Sequence, residues 1–145
     1  MAQKAIREAQ GKKMIARLLK DYGDRKYMVE DNFISVGPET DLDALPKEYP
    51  WLESTKVVVK PDQLIKRRGK NNLLLLDASW NEARGWISER MKTEITIDGV
   101  TGLLDHFIVE PFIKHDEDDE YYVAITSVRE GDNILFYHRG GVDVG

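Results

Sequence analysis

The chain of 145 residues has no cysteine, which excludes a disulfide framework, a thiolate metal site and a cysteine nucleophile, and gives no sign of an oxidising compartment. Long apolar runs are missing as well. No stretch approaches the roughly 18 apolar residues of a membrane span, and the opening Met1-Ala2-Gln3-Lys4-Ala5-Ile6-Arg7-Glu8 lacks the apolar core of a secretion signal. The expectation is a cytoplasmic protein with no membrane partner. Histidine is scarce: His106, His115 and His138 lie far apart without ligand spacing, and read as structural or surface residues rather than a metal centre or part of a nucleophilic triad. A net charge of -5 supplies no general attraction for nucleic acid. Internal repeats and low-complexity segments are also lacking.

What is present suits one globular domain or two small lobes, with 41% of residues hydrophobic. Met14, Ile15, Leu18, Leu19 and Tyr22 recur at helical spacing before Gly23, predicting an amphipathic helix. A strand is expected over 27–36, broken by Gly37-Pro38, and Asp41 can cap a short helix ending near Pro46. Val57-Val58-Val59-Lys60 reads as a buried strand ended by Pro61, and Leu73–Leu76 as another. Trp80, Ala83, Trp86, Ile87 and Met91 mark a helix. Asp98-Gly99 signals a hairpin turn after Glu94–Ile97, with a further extended segment over 103–112. Tyr121–Val128 and Ile134–Tyr137 should pair through Glu130-Gly131-Asp132-Asn133. The mixture predicts an α+β or α/β domain with a substantial antiparallel sheet.

Charge is strongly polarised along the chain. Lys56, Lys60, Lys66, Arg67, Arg68 and Lys70 face Asp62 alone, whereas Glu110, Asp116, Glu117, Asp118, Asp119 and Glu120 face Lys114 alone. In the basic segment a strand end would hold Lys60 as a fixed charge suited to a phosphate oxygen. The loop after it offers Arg67, Arg68 and Lys70 as cations and Gly69 for close backbone approach. The Gly-x4-Gly-Lys-Ser/Thr spacing of a Walker A loop is absent. A solvated basic loop is the competing reading.

Phe107-Ile108-Val109-Glu110-Pro111-Phe112 brings an apolar strand to an acid, a proline and an aromatic. Backbone groups there could read the edge of a base while Val109 and Phe112 cover its faces; the plainer reading is a buried strand leaving the core. The acidic run 116–120 lacks an EF-hand pattern and reads as a solvated loop.

Val58-Val59-Lys60-Pro61-Asp62-Gln63-Leu64-Ile65-Lys66-Arg67-Arg68-Gly69-Lys70 resembles the nucleotide-binding segment of the ATP-citrate lyase family nearly residue for residue. Glu48-Tyr49-Pro50-Trp51-Leu52, Phe107–Phe112, and Arg129-Glu130-Gly131-Asp132 followed by Gly140-Gly141-Val142-Asp143-Val144-Gly145 agree in order. A more distant resemblance runs to the beta subunit of succinyl-CoA synthetases. Both imply an ATP-grasp fold, here its amino-terminal portion, a mixed and largely antiparallel sheet with flanking helices. The resemblance implies a first lobe over about 27–108, preceded by a helix within 1–26, with 109–145 beginning the second lobe.

The same resemblance implies that Lys60, Arg67, Arg68 and Gly69 hold ATP phosphates, that Val109, Glu110 and Phe112 hold adenine, and that Glu120 accepts from ribose hydroxyls. It implies no catalytic residue within the chain. Mg²⁺ would be held by later strands, so the segment is expected to stop before them, to lack the full activity alone, and to self-associate through an exposed sheet edge. The family reaction converts citrate, CoA and ATP to acetyl-CoA, oxaloacetate, ADP and phosphate, with citrate and CoA bound by other modules. Other readings are the ATP-grasp part of a different acyl-CoA synthetase and a non-catalytic assembly module whose basic loop docks an acidic partner.

Overall fold

Alternation in two apolar segments, 57–61 and 107–111, organises the structure, a computed structural model describing residues 5–23, 26–27, 29–65 and 68–140. Strand β1 spans Ile34–Val36, β2 Val57–Pro61, β3 Leu75–Ala78 and β6 Phe107–Pro111. They form one antiparallel sheet in the order β1-β6-β2-β3. Because successive side chains point to opposite faces, Val57 and Val59 of β2 share a face with Phe107 and Val109 of β6. All four are fully buried.

That face is covered by helix α3, Trp80–Arg90, which buries Ala83 and Ile87 and sets Trp86 edge-on to Phe107 at 5.8 Å between ring centroids. Ser79 starts the helix with a capping box: its backbone N–H donates to Glu82 Oε2 at 2.7 Å, and its Oγ accepts from the Glu82 N–H at 3.4 Å. Before β2, the short helix α2, Leu45–Glu48, and the 3-10 turn Pro50–Glu53 bury Leu45 and Leu52 in the same core. The Asp98-Gly99 turn joins β4, Thr93–Ile97, to β5, Val100–Leu104; both turn residues have positive φ, +49° and +79°.

The opposite face of the sheet carries Val58 and Lys60 of β2 and Ile108 and Glu110 of β6, since Val58 pairs with Glu110 and Lys60 with Ile108. Helix α1, Glu8–Tyr22, reaches Lys60 and Glu110 through the side chains of its first turns and ends at Gly23 as its spacing predicts. Its apolar stripe does not form the core: Met14, Ile15, Leu18 and Tyr22 are exposed, and Ala9 is its buried residue.

Several expected boundaries move for local reasons. Among the described residues of the strand expected over 27–36, those paired as a strand are Ile34–Val36, because the Asn32 and Phe33 amides bond to Glu30 and Asp31 just behind them. Asp41 caps a turn, accepting from the amides of Asp43 and Ala44, and the helix starts at Leu45 with Pro46 in its first turn. Leu73 is buried, but its amide closes a turn on the Arg68 carbonyl, so β3 begins at Leu75. The segment 103–112 is divided at Asp105-His106.

The chain divides into two units, Met1–Phe112 and Ile113–Gly145. The second contains a 3-10 turn at Glu117–Asp119 and the hairpin of β7, Tyr122–Val128, with β8, Gly131–Tyr137. Its turn is Arg129-Glu130 rather than Glu130–Asn133, because Asp132 and Asn133 already pair with Ser127 and Thr126. Gly131 takes φ +147° at the strand entry, and Ser127 Oγ donates to Asp132 Oδ1 at 2.6 Å. Among the described residues no helix is long and apolar enough to cross a membrane.

Candidate functional site

The end of β2 holds Lys60 on the face of the sheet turned to α1, as the alternation from Val57 and Val59 requires. Its ammonium lies 2.6 Å from Glu8 Oε1 and 2.9 Å from Glu110 Oε2. Arg68 Nη2 lies 2.8 Å from the other Glu8 oxygen, while its Nη1 donates to the Pro61 carbonyl at 2.9 Å. Lys12 donates to Glu110 Oε1 and stands 3.6 Å from Glu8 Oε1, one helical turn away on α1. Among the described residues, Lys12, Lys60 and Arg68 therefore surround the Glu8 and Glu110 carboxylates in a partly buried cluster.

Burial by itself would raise the Glu8 carboxyl. The hydrogen bonds and charges of Lys60 and Arg68 outweigh it and hold the group below its ordinary value of 4.5. The Glu8 carboxylate is thus shared between Lys60 and Arg68, with Lys12 at longer range.

The residues after Lys60 build the frame. Asp62, 3% exposed, accepts from the first amides of α1: Glu8 N–H at 2.7 Å and Ala9 N–H at 3.4 Å. A carboxylate at a helix N-terminus satisfies amides that have no partner within the helix and opposes the positive end of the helix dipole. Arg7 Nη1 adds a bond to the Asp62 carbonyl at 3.3 Å. Gln63 clamps the β5–β6 connection, donating to the Leu103 carbonyl at 2.8 Å and accepting from the Asp105 amide at 3.0 Å. The Lys60-Pro61-Asp62-Gln63 phrase therefore fixes the lysine between two neighbouring elements.

Of the residues singled out in the sequence, Lys60, Arg68 and Glu110 meet in this cluster. Gly69 follows in an exposed turn, its carbonyl accepting from the Asn72 amide at 3.2 Å. Arg67 lies outside the described residues. Val109 is fully buried in β6, so it offers no open face to cover a base. The Glu110 carboxylate is engaged by Lys12 and Lys60, and the partly exposed Phe112 spends its amide on the Lys56 carbonyl at 2.7 Å.

Glu120 belongs to the second unit, where its carboxylate lies 2.8 Å from His115 Nε2. The Glu120 contact first, then the Ile113 carbonyl at Nδ1, raises the His115 pKa above 6.5. Glu8, Lys12 and Asp62 are the members of the Lys60 cluster and its frame that sequence reasoning missed. Glu8 and Lys12 do share one helix face at i,i+4 spacing, but nothing local ties that face to a residue some fifty positions later.

Among the described residues no three His, Cys, Asp or Glu side chains stand together as a metal site. Glu8 and Glu110 are both neutralised by cations, so this donor set does not fit Mg²⁺.

Residues 2–145 match the family model of the ATP-citrate synthase ATP-grasp domain. ATP-citrate synthase of Bos taurus is 43% identical over 147 aligned residues, covering 100% of this chain and 13% of that protein. The Homo sapiens enzyme is 41% identical with the same coverage. The solved ATP citrate lyase of Methanothrix soehngenii, in complex with citrate and coenzyme A, superposes with a TM-score of 0.84 at 50% identity. That superposition covers 97% of this chain and 33% of the archaeal one.

Proposed function

The chain belongs to the family of ATP-citrate synthase ATP-grasp domains, and from that premise we propose that it serves the nucleotide-binding step of an ATP-citrate synthase. The observation that carries the proposal is Lys60 held between α1 and β6 with Arg68 beside it, two cations converging at one strand end. Phosphoryl transfer demands little covalent chemistry from the protein and depends on positioning and charge. Lys60 supplies a point charge and Arg68 a planar fork of donors for phosphate oxygens. Gly69, exposed in the adjoining turn, lets the backbone approach them.

Arg67 as a further phosphate ligand, Val109–Phe112 for adenine and Glu120 for ribose rest on the family's phrase order. Val109 is fully buried, so its part would be to support the strand that presents Glu110 and Phe112 rather than to touch a base. No step is assigned to Mg²⁺, whose ligands belong outside this donor set. The proposed reaction of the whole enzyme is the ATP-dependent conversion of citrate and CoA to acetyl-CoA and oxaloacetate in the cytoplasm, with citrate and CoA bound by other modules. This chain spans about an eighth of the bovine and human relatives and a third of the archaeal one.

Thermal unfolding with ATP and Mg²⁺ tests the reading, with a GTP control. A ligand that binds only the folded state adds about 2.7 kcal/mol at one hundred times its dissociation constant. ATP is expected to raise the transition and Lys60→Ala to abolish the rise. Equal protection of the wild type and Lys60→Ala would remove the cluster from the nucleotide site.

A further inference from the structure

We propose that Glu8 is a resident substitute for a nucleotide phosphate: its carboxylate bridges Lys60 and Arg68 and must turn away before both cations can bind ATP. This rests on the nucleotide reading of the cluster and adds to it a residue that sets affinity by competition.

The geometry has two parts. First, both Glu8 oxygens are used, one 2.6 Å from Lys60 Nζ and the other 2.8 Å from Arg68 Nη2. Two cations gripping adjacent oxygens of one anion is the arrangement they would make with a phosphoryl group. Second, the backbone beneath Glu8 is fixed independently of its side chain, because Asp62 holds the Glu8 and Ala9 amides. The side chain can therefore change rotamer while the helix start remains seated.

Each cation keeps another contact when Glu8 leaves. Lys60 retains Glu110 at 2.9 Å, and Arg68 retains the Pro61 carbonyl at 2.9 Å. Lys12 pairs with both carboxylates, but Glu110 is the more enclosed, its side chain 12% exposed against 25% for Glu8, so Glu110 is the permanent counterion and Glu8 the exchangeable one. An incoming triphosphate would meet Lys12, Lys60 and Arg68 with one carboxylate fewer to repel it.

The test is the dissociation constant of MgATP for the full chain by calorimetry, comparing wild type with Glu8→Gln, Glu8→Asp and Lys60→Ala. Glutamine keeps the shape and removes the charge; aspartate keeps the charge but shortens the arm so that it cannot span both cations. Releasing one partly exposed, charge-assisted contact should tighten binding about tenfold in Glu8→Gln. Glu8→Asp should tighten it by a smaller factor in the same direction. Binding that is unchanged or weaker in both variants, while Lys60→Ala still abolishes it, overturns the substitution and leaves the nucleotide site standing. Absence of binding in every protein, Glu8→Gln included, overturns the nucleotide reading and the proposal with it.

Discussion

Replacing Asp62 with alanine should do more than remove one surface charge. Asp62 is 3% exposed, and its carboxylate accepts from two consecutive amides at the start of α1. Loss of a helix cap costs about 1 kcal/mol, and loss of an anion at a partly buried helix start up to about 2 kcal/mol more. These terms overlap, so a destabilisation of about 2 to 3 kcal/mol is expected. With an unfolding entropy of about 2.1 cal/mol/K per residue, a unit of some 110 residues loses roughly 4 °C per kcal/mol. The transition of the first unit should therefore fall by about 8 to 12 °C in a calorimetric scan. Hydrogen exchange at the Glu8 and Ala9 amides should accelerate with it, while amides of β2 and β6 stay protected under native conditions. A fall of less than 2 °C with unchanged exchange at Glu8 and Ala9 would refute the argument that Asp62 seats the helix.

Phe107→Ala, at the centre of the same unit, should cost about 3 to 5 kcal/mol by chemical denaturation, because a fully buried ring and its edge contact with Trp86 are both lost. Glu8, held below its ordinary pKa of 4.5, contributes stability that is present above that value and lost as pH falls through the lower, folded pKa. Acid titration of unfolding should show this loss in the wild type and less of it in Glu8→Gln. His115 has the opposite sign: its raised pKa gives a contribution present below 6.5 and lost as pH rises through the folded value. Proton NMR should place the His115 midpoint above 6.5, and Glu120→Gln should lower it. Val123, Ile125, Ile134 and Phe136 are exposed on β7 and β8, so the isolated chain should associate with concentration in sedimentation, and Ile125→Lys should reduce this.

What the sequence made legible was carried by strong local rules. The continuous valines of β2, the Asp98-Gly99 hairpin and the apolar spacing of α3 each have one favoured structure, and each forms close to where it is expected. Tertiary competition explains the rest. The apolar stripe of α1 satisfies helical periodicity, yet the helix is positioned through its first turn by Asp62 and the charge cluster, so the stripe stays exposed. Leu73 enters the core from a turn because the Arg68 carbonyl captures its amide. Asp62 stands out in the sequence as one acid among cations, but its role depends on a helix start that sequence proximity does not reveal. At Glu110-Pro111-Phe112 the base-edge reading concerns backbone groups; the Glu110 side chain is turned by the pleat toward Lys60 and Lys12, a pairing that depends on a helix far away in sequence.

The central claim is that Lys60 and its neighbours form a nucleotide-phosphate site. The most direct test is a heteronuclear NMR map of the backbone amides of this chain as MgATP is added, repeated in Lys60→Ala. The account predicts saturable shifts concentrated at Val59, Lys60, Arg68 to Lys70, Glu110 and the first turn of α1, all lost in the variant. Shifts that leave these residues untouched, or that persist unchanged in Lys60→Ala, would contradict it.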